Sequence, residues 1–308
     1  MRLGIDRYSP VYRLVHGIWS QGPSRAGALL FLALLAFSIV GYFWQPYNPD
    51  YGGFPKAAPP SWAHPLGTTM FGQDVLSQLM AGGLPVIGLG VGVGIIGTLL
   101  AVLVGVVAGL YEGTAIDAVL TGIDQILLVI PGILILMVLA AYLRMMSLRL
   151  GYLELMIGLG VTAWPYGART IRAQTIAIRR REFILSSQLI GESTASIVFN
   201  QVIPNNLPYI ASSFFSASIY GVFGATLIYY LGLGSLAEVN WGTMLYWSLG
   251  EMAYINGWWW WYVPPGLMIG LLALSFALMN VGLDVVANPR LRVWKIPKGM
   301  KVAYPRAR

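Results

Sequence analysis

The chain has 308 residues, of which 57% are hydrophobic and only 10% are charged. Soluble domains carry about 25% charged residues, so this composition excludes an ordinary soluble protein and predicts an integral membrane protein with several spans. Cysteine is absent and the two histidines are His16 and His64, which excludes a disulfide framework, thiolate chemistry and a self-contained zinc centre. The net charge of +7 is concentrated in a few segments, and this indicates membrane topology rather than a nucleic-acid partner.

The N-terminal part predicts a cytoplasmic tail and a first membrane crossing. Residues 1–25 contain four arginines and no convincing cleavage site, so we expect a tail and no cleavable signal peptide. Residues 26–44 carry no charge and match the ~20 residues that a spanning helix needs. Residues 45–83 are rich in Pro and Gly and predict an external loop.

The end of this loop, Leu66–Ser77, has two interpretations. Val75, Leu76 and Leu79 flank a polar face, which favours an amphipathic helix lying in the membrane interface. A binding role is the alternative. The second span lies within residues 75–111, which carry no charge.

Small residues recur every four positions in span two, at Gly97, Ala101, Gly105 and Gly109. Such a stripe lies on one helix face and lets helix backbones approach closely. This helix face packs either against a helix of a second subunit or against a helix of the same subunit. The spacing does not decide between these two interpretations.

Span three is predicted over residues 115–142. Asp117, Asp124 and Pro131 are seven residues apart and therefore share one face of a continuous helix. A carboxylate inside a span is costly and usually faces protein or water. We expect Asp117 at the cytoplasmic mouth, whereas Asp124 has either a gating role or a hydrogen bond to a neighbouring helix. We expect no membrane-buried base to pair with either carboxylate.

Span four, residues 153–171, contains Trp164-Pro165, and proline bends a span. Arg169 and Arg172 then mark its cytoplasmic boundary. Span five, residues 207–231, carries Ser213, Ser216 and Tyr220 on a polar face that suits either a solute pathway or helix packing.

The last third of the chain predicts an acidic external loop at 232–261 and span six at 263–283. The four tryptophans Trp258–Trp261 favour a membrane-interface belt over stacking on sugar rings. Residues 285–308 form a basic cytoplasmic tail. With six spans and both termini inside, 16 of the 19 basic residues are cytoplasmic, as the positive-inside rule requires.

A polar stretch at 179–205 separates spans four and five. It begins with Arg179-Arg180-Arg181, keeps apolar residues at helical intervals, and contains Gly191 and Pro204, which can end short helices. We interpret it as a surface on which a cytoplasmic partner docks.

This stretch resembles the EAA loop of ABC importer permeases, in the oligopeptide/dipeptide branch. That loop has a Glu-Ala-Ala triplet, a Gly four residues later and a Pro thirteen residues after the Gly. Ser186 and Ser187 stand at the two Ala positions, and Gly191 and Pro204 keep both spacings. Leu185 replaces the triplet's Glu, which removes any salt bridge made there, while Glu182 lies three residues earlier.

Further similarity extends over residues 26–292. The same family has runs like Leu66–Ser77, the Asp-Asp-Pro spacing of span three, Trp164-Pro165 followed by Ala168-Arg169, and Trp241-Gly242 followed by Met244-Leu245. The run Asn288–Arg292 resembles the family's C-terminal Asp-Pro-Arg-Leu-Arg motif, and Asn288 stands at the position of its Asp.

The resemblance implies an all-α, six-span permease domain at 26–284 with the type I importer fold. It also implies a second, homologous permease subunit, two cytoplasmic ATPases, an external solute-binding protein and a place in the cell membrane. On this interpretation Glu182, Phe183, Ile184, Leu185, Ser186, Ser187, Gly191 and Glu192 contact the ATPases, with the apolar ones buried in an ATPase groove. Asp124, Ser213, Ser216 and Tyr220 line or gate the pathway.

Other functions have weaker support in the sequence. All four lysines lie outside any Gly-x-x-x-x-Gly-Lys-Ser/Thr phosphate loop, and the two histidines lie in a predicted tail and a predicted loop, which disfavours a Ser-His-Asp set. We therefore expect no catalytic residue, metal or cofactor. An ion-coupled secondary transporter needs more intramembrane ionisable pairs. A membrane enzyme or a scaffold are further alternatives. The solute is a peptide in this branch, with an oligosaccharide or nickel as alternatives.

Overall fold

The computed structural model describes residues 10–287, except 147 and 149. Within these residues the chain forms α-helices, one π-helical turn at Val198–Val202 and two isolated β-bridges, but no β-strand. The helices are α1 (Pro10–Ser20), α2 (Gly22–Phe43), α3 (Val75–Ala81), α4 (Gly83–Leu110), α5 (Ala115–Val129), α6 (Gly132–Met145), α7 (Tyr152–Arg179), α8 (Glu182–Leu189), α9 (Thr194–Ile197), α10 (Ile203–Tyr230), α11 (Trp241–Gly250) and α12 (Trp259–Ala287). The tails 1–9 and 288–308 lie outside the described residues.

Four helical stretches of the described chain are long and apolar enough to cross a membrane. They are Gly22–Phe43, Val75–Leu110, Thr194–Tyr230 and Trp259–Leu283. The pair α5 and α6 would make a fifth, although its two halves meet at 70°. The all-helical membrane architecture is therefore confirmed.

The helix α7 occupies the position of predicted span four but is not among these four stretches. With 28 residues it is about 42 Å long, enough to cross a bilayer. Its sequence is less apolar because it contains Glu154, Arg169 and Arg172. The count of six crossings stays a prediction.

The small-residue stripe of α4 packs against α7 of the same chain. A Cβ atom on Gly105 would lie 2.6 Å from the Ala168 carbonyl oxygen, and one on Gly109 would lie 2.6 Å from the Thr175 Cβ. Such distances leave no room for a side chain, so the two backbones touch. The stripe thus serves packing within the subunit.

Three sequence interpretations need correction. Pro131 does not continue the face of Asp117 and Asp124, because α5 ends at Val129 and α6 leaves at 70° after the proline. The proline cannot donate the next helical hydrogen bond, and the residue before it is extended.

The second correction concerns residues 66–77, which are predicted to be external. Its first part is a set of turns, and only Val75–Ala81 is helical. Asp74 caps that helix: its carboxylate accepts from the Ser77 amide and hydroxyl at 2.8 and 2.7 Å, and lies 2.8 Å from His64 Nδ1. Val75 and Leu79 are buried inside the chain, so the run is not an interfacial amphipathic helix.

The third correction concerns the four consecutive tryptophans. Trp260 and Trp261 are 8% and 1% exposed and belong to the apolar core. The Trp260 indole donates to the Thr68 carbonyl at 3.2 Å. Trp259 is exposed, as a membrane-interface belt requires. Trp260 and Trp261 instead pack α12 against the loop at residues 45–83, which is predicted to be external.

Candidate functional site

The helix α8 is the short helix predicted within the polar stretch. It follows α7 after one turn, with Arg181 as its N-cap residue. Eight residues are too few for an isolated helix to be stable in water, so α8 needs tertiary contacts. Ile184 provides them, because it is 1% exposed and packs in one core cluster with Ile178 and Ile197.

The other large apolar residues of α8, together with its C-cap residue Ile190, point away from the chain. Their exposed fractions are high, and they form what we call the α8 patch: Phe183 at 42%, Leu185 at 48%, Leu189 at 88% and Ile190 at 84%. Contiguous exposed apolar residues beside charged ones mark interaction surfaces. Ile184 is a correction to the prediction, because a side chain buried inside the chain cannot enter a partner's groove.

The remaining α8 residues predicted to contact a partner are accessible. Glu182 and Ser186 are exposed, and Ser187 is half-buried. Glu182 occupies the first turn of the helix, where a negative charge interacts favourably with the helix dipole. The Ser186 hydroxyl donates to the Glu182 carbonyl at 2.9 Å.

The turn after α8 is closed by side-chain hydrogen bonds. Gly191 has φ +81° and no heavy atom within 4 Å of a Cβ position. The amide of Gln201 donates to Ser187 Oγ at 2.7 Å and to Glu192 Oε2 at 2.9 Å. The Ser196 hydroxyl donates to Glu192 Oε1 at 2.6 Å.

These contacts define the role of Glu192 in the structure. The hydrogen bonds, above all the one from the Ser196 hydroxyl, hold the pKa of the Glu192 carboxyl below its ordinary value. Both carboxylate oxygens bond within the turn, so Glu192 shapes the turn that carries α8.

Two arginines at the end of α7 contact the α4–α5 turn. Arg179 Nη1 donates to the Leu110 carbonyl at 2.7 Å, and Arg180 Nη2 lies 3.0 Å from the Glu112 carboxylate. The Arg180 side chain is 70% exposed. Exposed ion pairs contribute about 0–1 kcal/mol, so this pair holds the turn weakly.

Both aspartates of α5 pair with arginines of α7. Arg172 makes a two-point contact to Asp117, with Nε–Oδ1 and Nη2–Oδ2 distances of 2.7 Å. Arg169 Nε and Nη2 both donate to Asp124 Oδ2, at 3.3 and 3.1 Å. The Arg169 and Arg172 side chains are 58% and 28% exposed, so both carboxylates are paired although neither partner is itself a buried base.

The sequence did not indicate these pairs, because both arginines are interpreted there as markers of the membrane boundary. Arg169 and Arg172 are three residues apart and share one side of α7. Asp117 and Asp124 are seven residues apart, about two helical turns. The two spacings differ, so neither predicts the pairing.

A cavity of about 300 Å³ lies between α5–α6, α7 and α10. Ser213, Ser216 and Tyr220 all line it, and the Tyr220 hydroxyl lies 3.1 Å from Thr162 Oγ1. None of its lining residues is charged. We call it the hydroxyl pocket.

Asp124 is absent from the lining of the hydroxyl pocket. It lies about one helical turn before Leu127 and Leu128, which do line the pocket, and Arg169 lies one turn after Tyr166. The structure therefore brings together three of the four predicted pathway residues and places the Asp124–Arg169 pair beside them.

A second cavity, of about 350 Å³, opens between the two predicted external loops. Asp50 and Glu238 contribute carboxylates, Phe71 and Trp247 contribute aromatic rings, and Gln78 contributes an amide. We call it the external pocket. Its lining contains no lysine or arginine, so it favours positively charged groups.

Comparisons with known proteins give the family. Residues 101–293, more than half of the chain, match the family model described as "Binding-protein-dependent transport system inner membrane component". The chain is 29% identical to the dipeptide transport system permease protein DppC of Bacillus subtilis, over 87% of this chain and 82% of that protein.

Two further relatives have similar coverage. The di/tripeptide transport system permease protein DppC of Pseudomonas aeruginosa is 30% identical over 86% of this chain and 88% of its own length. The oligopeptide transport system permease protein OppC of Bacillus subtilis is 26% identical over 86% and 85%. The polar stretch with α8 lies inside the matched region.

The family model and the all-helical architecture agree with the type I fold of ABC importer permeases. Proteins of this kind are membrane-embedded permease subunits and are not themselves catalytic. This chain is therefore a multi-pass permease subunit that belongs to the family of binding-protein-dependent transport system inner membrane components.

Proposed function

We propose that this chain is one of two homologous permease subunits of an ATP-driven importer that carries di- or oligopeptides into the cell. The α8 patch carries the proposal, because it is an exposed apolar surface on a short helix fixed to the spans. The relatives are named as dipeptide, di/tripeptide and oligopeptide transport system permease proteins, and this supports a peptide as the solute. An oligosaccharide or nickel has no comparable support among the relatives named above.

Two cytoplasmic ATPase chains supply the energy in this proposal. The chain has no phosphate-binding loop of its own. Phe183, Leu185 and Leu189 bury in a groove of one ATPase, at about 1.5–3 kcal/mol for each fully buried side chain. Glu182 and Ser186 lie at the edge of that contact, where polar groups set its orientation.

The turn after α8 fixes the angle at which the helix meets the ATPase. Ser187 and Glu192 hold the turn through Gln201, and Gly191 provides its left-handed residue. A displacement of α8 is then transmitted to α7 through the buried Ile184 side chain, and to α10 through the turn after α8. Movement of these helices opens the pathway alternately to the two sides of the membrane.

The hydroxyl pocket forms part of the solute pathway in this proposal. Ser213, Ser216 and Tyr220 offer hydrogen bonds to a polar solute without a fixed charge that would hold it tightly. Such weak, neutral contacts suit passage, since a solute must leave as well as enter.

The external pocket faces the solute-binding protein. Both termini then lie in the cytoplasm, the protein resides in the cell membrane, and α8 lies on the ATPase side. Asp50 and Glu238 make the external surface negative. This charge would attract a basic docking surface on the solute-binding protein.

The test is uptake by the complete complex. This chain, its second permease and the two ATPases are reconstituted in proteoliposomes with the binding protein and radiolabelled dialanine. We expect uptake that requires ATP and the binding protein. Uptake without any ATPase would instead identify an ion-coupled transporter, and ATP-dependent uptake of a maltooligosaccharide but of no peptide would overturn the peptide assignment.

A further inference from the structure

The helix α5 is attached to the rest of the chain in an unusual way. Of its 15 residues only Asp117 and Asp124 are buried. Its apolar residues point outward, with Val119 61% and Ile126 61% exposed. Apolar packing therefore contributes little to the position of α5 within this subunit, and the two carboxylates are its main anchors.

Both carboxylates form ion pairs with arginines of α7. The Asp117–Arg172 pair is the stronger, since its two-point geometry fixes direction as well as distance. Asp117 also accepts from the Gly113 amide at 3.0 Å. The Asp124–Arg169 pair uses one carboxylate oxygen, and within the described chain the buried Oδ1 atom has no hydrogen-bond partner.

The two helices connect the proposed docking surface to the proposed pathway. At its cytoplasmic end α7 shares a core cluster with α8, through Ile178 and Ile184. At its other end α5 supplies Leu127 and Leu128 to the wall of the hydroxyl pocket. The helices α5 and α7 are joined by the Asp117–Arg172 and Asp124–Arg169 ion pairs, and both aspartates are buried.

We propose that the Asp117–Arg172 and Asp124–Arg169 pairs make α5 move with α7, so that a displacement of α8 shifts one wall of the hydroxyl pocket. The four residues are positioning residues and contact no solute. This inference rests on the proposed function, since it needs an ATPase acting on α8.

The first test separates ATP hydrolysis from transport in the reconstituted complex. Arg172→Gln leaves the buried Asp117 carboxylate without its partner, which is strongly unfavourable. Asp117→Asn leaves the half-buried Arg172 guanidinium without its partner and breaks the same link. We expect ATP hydrolysis to continue while dialanine uptake per ATP falls about tenfold or more. The exchange Asp117→Arg with Arg172→Asp should recover part of the uptake.

A matched control is the exposed pair Glu112–Arg180, which joins the α4–α5 turn to the end of α7. Glu112→Gln removes the charge that faces Arg180, and uptake per ATP should change less than about twofold. Equal losses for Glu112→Gln and Asp117→Asn would overturn the inference, as would full uptake per ATP in Asp117→Asn.

A second measurement covers variants that assemble poorly. Because the chain has no cysteine, Val119→Cys and Ala173→Cys place one spin label on each helix. We expect the same label separation without nucleotide and with ATP plus vanadate, and a broadened separation in Asp117→Asn. A separation that changes between the two states of the otherwise unaltered chain would contradict the proposal. Failure of the unaltered complex to import dialanine with ATP would instead contradict the proposed function.

Discussion

Adjacent residues of α8 have opposite environments, and this separates stability from binding. Ile184 is 1% exposed in the core, whereas Leu185 is 48% exposed in the α8 patch. Both are aliphatic side chains of equal size. Truncating each to alanine therefore compares an internal anchor with an external contact at the same place.

We expect Ile184→Ala to lower the free energy of unfolding by about 2–5 kcal/mol, because it leaves a cavity between α7, α8 and α9. Leu185→Ala should leave the unfolding free energy nearly unchanged and weaken ATPase capture. Denaturation in detergent measures the first effect, and co-purification of the ATPase measures the second. An unstable Leu185→Ala variant would contradict this assignment of the two side chains.

The left-handed backbone conformation of Gly191 leads to a second prediction for a single residue. Its φ of +81° is unfavourable for a β-branched residue, and the strain is about 1–2 kcal/mol. Gly191→Val should therefore shift α8 and uncouple ATP hydrolysis from uptake, although the space around the Cβ is open. Gly191→Asn is the matched control, since asparagine tolerates this conformation, and it should keep most uptake. Equal activity of both variants would show that the turn conformation does not matter.

At the scale of elements, the turn between α8 and α9 depends on one carboxylate. Glu192 accepts hydrogen bonds from Ser196 and Gln201, and its pKa is lowered in the folded chain. A lowered folded pKa gives stabilisation that is complete above the ordinary carboxyl pKa and is lost as pH falls through the lowered value.

We therefore expect amide hydrogen exchange in residues 187–202 to be slow at neutral pH and to accelerate, relative to α4, in the acid range below the ordinary Glu pKa. In Glu192→Gln the additional acid-dependent acceleration should disappear, because the amide does not titrate there. Persistence of that acceleration in Glu192→Gln would assign it to another group.

The same scale shows what the sequence can predict. Charge-free runs predicted most of the spans, because a bilayer requires a sufficient apolar length. Pro204 was expected to end a short helix, but it lies in the first turn of α10, inside the continuous stretch Thr194–Tyr230. Glycine at 191 indicated the turn, and the spacing of Ser213, Ser216 and Tyr220 indicated a shared face, which lines one cavity. These features follow from residues close together in the chain.

Other features depend on contacts between distant residues. Asp117 and Arg172 are 55 positions apart, and no local pattern states that they meet. The inward direction of Ile184 depends on where α9 packs, because α8 carries apolar residues on several sides. The bend at Pro131 also depends on the neighbouring helices, since spans tolerate prolines elsewhere in this chain, as at Pro165.

The topology is the prediction at the scale of the whole molecule. Trp62 is fully exposed in the predicted external loop, and Leu189 is 88% exposed on the proposed cytoplasmic surface. In a chain without native cysteine, Trp62→Cys should react with a membrane-impermeant maleimide in intact cells. Leu189→Cys should react only after permeabilisation, and the unaltered chain should not react. Labelling of Leu189→Cys from outside would reverse the proposed orientation.

The uncharged wall of the hydroxyl pocket has a consequence for how specificity is divided among the subunits. If the proposed pathway passes through this pocket, its hydroxyl, aromatic and aliphatic lining cannot separate acidic from basic cargo by charge. Discrimination then falls to the receptor that delivers the cargo. Exchanging that receptor for one with a different preference should redirect the same membrane subunit to new nutrients without a single substitution in its spans.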